Sequence, residues 1–80
     1  MKRIALVEDE ALLREELARI LQKAGYEISQ IVDFEGVAGQ LLFLAPDLVV
    51  LDLNLPGESG FGICRQLKCK SAIPVLVLTS

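Results

Sequence analysis

Leu48-Val49-Val50-Leu51-Asp52-Leu53-Asn54-Leu55-Pro56-Gly57 decides the fold. Four consecutive apolar residues with no polar alternation read as a strand buried on both faces, the mark of a central position in a parallel sheet. An acid closes the run, and Leu55-Pro56-Gly57-Glu58-Ser59-Gly60 then forms a rigid turn into a helix expected over Phe61 to Lys70. Upstream, Ile4 to Val7 is a second apolar run, and it too ends in acids, Glu8-Asp9. Downstream, Pro74 to Leu78 is a third, closing on Thr79-Ser80.

Between these runs the periodicity becomes helical. From about Glu10 to Ala24, Leu13, Leu17, Ile20, Leu21 and Ala24 recur at helical spacing, Glu15 can pair with Arg19 one turn on, and Gly25 stands where a helix ends. Glu27 to Val32 is a half-polar strand suited to a sheet edge beside the first strand. Asp33 can cap a second helix to about Leu44, although Gly36 and Gly39 inside it each cost up to ~1 kcal/mol relative to Ala. Ala45-Pro46-Asp47 ends that helix. The order β-α-β-α-β-α-β with short connections implies an α/β, doubly wound parallel sheet.

In such a sheet the carboxyl ends of neighbouring strands share one crevice, so Glu8, Asp9, Asp52 and Thr79 converge. Like charges about 4 Å apart repel by roughly 4 kcal/mol at an effective dielectric of ~20, and a divalent cation would relieve the strain. Taken singly, Asp9 is readable as a helix cap, Asp52 as a solvated strand-end acid and Thr79 as an ordinary β-branched strand residue. Their common placement at three strand ends favours a site.

Composition narrows the classes. The 80 residues allow one domain at most, and 52% hydrophobic content excludes a disordered chain. No apolar run approaches the ~18 residues of a membrane span. A net charge of −3 without a Lys/Arg run argues against direct nucleic-acid or anionic-membrane binding. The apolar stretch after Met1-Lys2-Arg3 is too short for a secretory signal, which makes the cytoplasm the default address. Cys64 and Cys69, with no histidine in the chain, match no zinc or redox signature; Cys64 is expected to be buried as a small hydrophobe beside Ile63 and Leu67. Gly57, Gly60 and Gly62 follow G-x-x-G-x-G, not the dinucleotide fingerprint, and read as turn residues.

Val7-Glu8-Asp9-Glu10, the run from Leu51 to Gly57 continuing to Ser59-Gly60, and Pro74 to Ser80 together resemble the receiver domain of two-component response regulators over almost the whole chain. Glu8-Asp9 with Leu55-Pro56-Gly57 is most similar to the regulators that carry a winged-helix DNA-binding output domain. The resemblance implies a flavodoxin-like sheet of strand order 2-1-3-4. It implies that Asp52 accepts a phosphoryl group from the phosphohistidine of a sensor histidine kinase. Asp9, Asp52 and the Asn54 carbonyl would hold Mg2+, with Glu8 acting through a metal-bound water, and Thr79 would be the switch hydroxyl. Asn54 and Ser80 match positions that tune the phosphoaspartate lifetime.

Against the family pattern, a final helix-strand-helix and a strand-end Lys are lacking. Lys2, Lys23, Lys68 and Lys70 stand elsewhere in the sequence. The expectation is therefore a partial receiver domain over residues 1–80 with no output domain, slower phosphotransfer and a weak switch. The fourth strand, left as an apolar edge, predicts homo-oligomers formed edge to edge or by element exchange. An interaction-only fragment is the alternative. The reading is not that of an enzyme: a haloacid-dehalogenase-type phosphohydrolase needs a second Asp where this chain has Asn54.

Overall fold

The computed structural model describes residues 2–78. Its elements are β1 (Arg3–Val7), α1 (Ala11–Lys23), β2 (Glu27–Ile31), α2 (Val37–Leu44), β3 (Leu48–Asp52), α3 (Gly60–Lys70) and β4 (Val75–Leu78). All pairings are parallel and the order is β2-β1-β3-β4, as expected for the doubly wound flavodoxin-like sheet. Thr79 and Ser80 lie outside the described residues.

The pleat divides the central strands between two cores. Ala5, Val7, Val49 and Leu51 meet Val37, Ala38 and Leu41 of α2 and Ile63 and Leu67 of α3. Ile4, Leu6 and Val50 turn the other way, toward Ala18 of α1. One helix thus covers one face and two cover the other, which explains why β1 and β3 are apolar at successive positions. Val7 stands opposite Leu51, and Asp52 opposite Leu78. The residues after β1 and at the end of β3 therefore leave the sheet at the same rim.

Several local expectations are corrected. The buried line of α1 runs through Ala18 with half-buried Leu17 and Leu21, whereas Leu13 and Ile20 are exposed. Ala18 has no bulk to hold the helix off the sheet, and half-buried Arg14 turns inward to reach a carbonyl, rotating Leu13 outward. Arg19 pairs with Glu16, one turn back by three residues, and not with Glu15. Asp33 does not cap α2: its Oδ1 accepts from the Glu35 amide at 3.1 Å, closing a local turn. The helix begins at Val37, with Gly36 as a left-handed N-cap at φ 60°, so only Gly39 lies in the helix interior. Cys64 is half-buried against the α2/α3 core, Cys69 is exposed, and both thiols are free.

At the end of α1 the amides of Gly25 and Tyr26 reach back to the carbonyls of Gln22 and Leu21 at 3.0 and 3.2 Å. With Gly25 at φ 99°, this is the paired-bond termination that a C′ glycine permits. β4 has one neighbour among the described residues and presents Leu76 and Val77 as exposed apolar side chains.

Candidate phosphoacceptor and metal site

Glu8 and Asp9 occupy the β1–α1 loop, and Asp52 is the last residue of β3. The parallel register brings them together: carboxylate oxygens of all three lie within 4.8 Å of one another. Glu8 and Asp52 are only 4% and 7% exposed, whereas Asp9 is open to solvent. Two of the three acids therefore face each other with little water between them.

The two buried carboxylates are each held by a backbone amide. The Asn54 amide donates to Asp52 Oδ1 at 3.0 Å, fixing the orientation of the Asp52 carboxylate. The Glu10 amide donates to Glu8 Oε2 at 3.3 Å. Behind the loop, Arg14 Nη1 donates to the Glu8 carbonyl at 2.9 Å, so the first turn of α1 grips the segment that carries both acids. Arg14 Nε is buried and has no hydrogen-bond partner among the described residues. Sequence reasoning missed Arg14; the available signal was a cation one helical turn after Glu10, just behind the acid pair.

Glu8 records the electrostatic cost. Its pKa is raised from 4.5 to about 7, first because burial strips water from the charged form, then through its hydrogen bond with Asp52 and the charge on that residue. The Glu10 amide works in the opposite direction. Near neutral pH a proton thus partly takes the place of a cation. Three carboxylates converging on one point suit a hard, oxygen-seeking divalent ion such as Mg2+.

The β3–α3 loop closes the site from the other side. Gly57 is left-handed at φ 79°, and Ser59 caps α3 by accepting from the Gly62 amide at 3.4 Å. Gly60 is required for a reason the turn reading did not supply. A Cβ there would stand 2.6 Å from Leu53 Cα and 2.9 Å from the Asp52 carbonyl oxygen, so α3 starts in contact with the backbone just after Asp52. Glu58 Oε1 accepts from the Val37 amide at 3.0 Å, joining this loop to the start of α2.

Two grooves, one between α2 and β2 and one around Tyr26 and Leu48, contain none of the acids. At the acid site Asp9 is open to solvent while Glu8 and Asp52 are buried. No helix among the described residues is long and apolar enough to cross a membrane.

Comparison with known proteins places these features in a family. The response regulator receiver domain model matches residues 4–80. The sensory transduction protein RegX3 of Mycobacterium tuberculosis is 38% identical over 80 residues, which is 100% of this chain and 35% of that protein. The DNA-binding response regulator MtrA of Mycobacterium leprae is 39% identical over 79 residues, 99% of this chain and 35% of its own length. This chain thus spans about a third of these relatives. The response regulator TrrA of Thermotoga maritima, solved in complex with Mg2+–BeF, superposes with a TM-score of 0.90 at 36% identity, covering 99% of this chain and 70% of that one. TrrA has also been solved in complex with the histidine kinase ThkA, where the TM-score is 0.83 at 34% identity, covering 100% of this chain and 70% of that one.

Proposed function

Because the chain belongs to the response regulator receiver domain family, we propose that it is a phosphoacceptor module of two-component signalling, with Asp52 receiving a phosphoryl group from a sensor histidine kinase. The convergence of Glu8, Asp9 and Asp52 within 4.8 Å at the carboxyl rim of a parallel sheet carries this reading. A carboxylate oxygen, unlike a hydroxyl, needs no general base to act as a nucleophile. Its orientation is set by the Asn54 amide, and Asp52 sits on a strand whose neighbouring residue Leu51 is fully buried. Catalysis then consists of positioning and of charge neutralisation.

Asp9, Asp52 and the Asn54 carbonyl would hold Mg2+, and Glu8, whose carboxylate lies within 4.8 Å of the other two, would support it without direct coordination. When bound, the ion supplies neutralisation of the charge on the transferring group. A site at the rim of the sheet with Asp9 open to solvent suits a donor presented by another macromolecule, in keeping with a kinase phosphohistidine, and TrrA in complex with ThkA is a precedent in a relative. Thr79 is the proposed switch hydroxyl. The chemistry assigned to the chain is limited to its own phosphorylation and dephosphorylation. DNA enters only through an output domain of the kind implied by the name of MtrA, and not through this acidic segment.

Intact mass after incubation with Mg2+ and acetyl phosphate tests the main proposal. The wild-type chain is expected to gain one phosphoryl group and the Asp52→Asn variant none. No gain by a folded wild-type sample, or equal gain by both, overturns it.

A further inference from the structure

The Val37 residue is fully buried, and its amide is the first of α2. Gly36 has no side chain with which to cap the helix, and Asp33 is occupied in its own turn. The amide is satisfied instead by Glu58, 21 residues away, at 3.0 Å. A carboxylate is the favoured partner at a helix N-terminus, where unpaired amides and the helix dipole both attract negative charge. What makes this bond more than a cap is its other end. Glu58 belongs to the seven-residue stretch between Asp52 and Gly60 that carries Asn54, and the Asn54 amide holds Asp52 Oδ1. Leu55 packs its side chain on the α2/α3 core, which pins the middle of the loop, and the Glu58 bond pins its far end. The Glu58 backbone amide also donates to the Pro56 carbonyl at 3.0 Å, so a displacement of Glu58 is passed back along a short, tied segment.

We propose that Glu58 is a positioning residue for the phosphoacceptor: seated on the N-terminus of α2, it fixes the β3–α3 loop so that Asn54 keeps its hold on Asp52, and it thereby links the acid site to α2. The inference rests on the reading of Asp52 and its neighbours as a phosphoacceptor and metal site. By linkage, a ligand that orders the loop also tightens the start of α2, and loss of the Glu58 contact weakens both. The acid site then reaches the surface by a route through α2 that does not involve Thr79.

Two substitutions test this, Glu58→Ala, which removes the acceptor, and Glu58→Gln, which keeps an acceptor oxygen. Amide hydrogen exchange at Val37 and Asn54 is measured in the metal-free protein, and Mn2+ affinity is measured by electron paramagnetic resonance titration. In Glu58→Ala, exchange is expected to accelerate about tenfold at Val37, the consequence of leaving a buried amide unpaired. It is expected to accelerate severalfold at Asn54 as well, with Mn2+ affinity reduced severalfold and Glu58→Gln close to wild type in all three. Faster exchange at Val37 alone, with Asn54 and Mn2+ binding unchanged, would reduce Glu58 to a helix cap and overturn the proposal. If the wild-type chain binds no Mn2+, the metal-site reading fails while exchange at Asn54 still decides the role of Glu58.

Discussion

Gly60→Ala is expected to be the most informative glycine substitution, because the space it needs is occupied by backbone that cannot rotate away. The new methyl would stand 2.6 Å from Leu53 Cα, 2.9 Å from the Asp52 oxygen and 3.0 Å from the Leu53 oxygen, where ordinary contact begins at 3.4 Å. Relieving the worst contact requires α3 and the end of β3 to separate by most of an ångström, in a region where Ile63, Leu67 and Leu51 are packed without exposure to solvent. Forcing one methyl into packed structure costs roughly 1–3 kcal/mol, against which Ala regains at most ~1 kcal/mol of helix propensity. A net loss of about 1–2 kcal/mol corresponds to a melting temperature lower by roughly 4–16 °C for a domain of this size. Urea unfolding followed by circular dichroism measures it, with Gly62→Ala as the control. The nearest atom to a Cβ at Gly62 is the Ser59 Cβ at 3.8 Å, so that variant is expected to match or exceed wild type. If Gly60→Ala unfolds at the same urea concentration as Gly62→Ala, the close approach of α3 to the Asp52 backbone is not a constraint and the argument fails.

Glu8, whose folded pKa of about 7 lies above its ordinary 4.5, binds more protons in the folded than in the unfolded chain between those values. Its contribution to stability is therefore complete below pH 4.5 and is lost as pH rises through about 7, with a slope of at most ~1.4 kcal/mol per pH unit. Urea midpoints from pH 5 to 8 should show the decline in wild type and not in Glu8→Gln; a slope that survives the substitution assigns it to another group. Arg14→Met keeps the aliphatic bulk but removes the bond to the Glu8 carbonyl, and is expected to cost about 1–2 kcal/mol and to slow phosphoryl gain from acetyl phosphate. Unaltered rate and midpoint would show that α1 does not hold the acid loop.

The parallel α/β sheet was legible because its signals are dense, continuous apolar runs at β1 and β3, a half-polar β2 and helical spacing between them, while the order β2-β1-β3-β4 was implied by the resemblance to receiver domains. The rim placement of Glu8, Asp9 and Asp52 follows from that order alone, before any contact is known. What was illegible depends on contacts between distant residues. The start of α2 was misplaced because Asp33, a good cap by residue type, spends its oxygen on Glu35, while the amide that needs a partner finds Glu58 across the fold. The inward face of α1 was misjudged because polarity places Arg14 outside, and the pull of the Glu8 carbonyl is invisible in a helical wheel. Gly60 was read as a turn residue for the same reason, since a close approach to Leu53 is a property of two elements together.

These contacts explain how a small domain tolerates a site that works against it. Burying Glu8 beside Asp52 is unfavourable to the extent that Glu8 holds a proton near neutrality, and that cost must be met by structure elsewhere. The two acids are carried by the most buried parts of the molecule: Val7 precedes Glu8 and Leu51 precedes Asp52, and both are fully buried. The loops that follow are tied to different helices on opposite faces of the sheet, the first by Arg14 to α1 and the second by Glu58 to α2. Repulsion between the acids would otherwise be relieved by moving the loops apart, which is the cheapest escape available to flexible backbone. With that escape restrained, the remaining ways to lower the energy are to take up a proton or to take up a cation. The first is visible in the raised pKa of Glu8, and the second is the binding function proposed for the site. On this argument the tethers and the acids form one device, and cutting either tether should loosen the cation-free site and weaken its hold on a divalent ion.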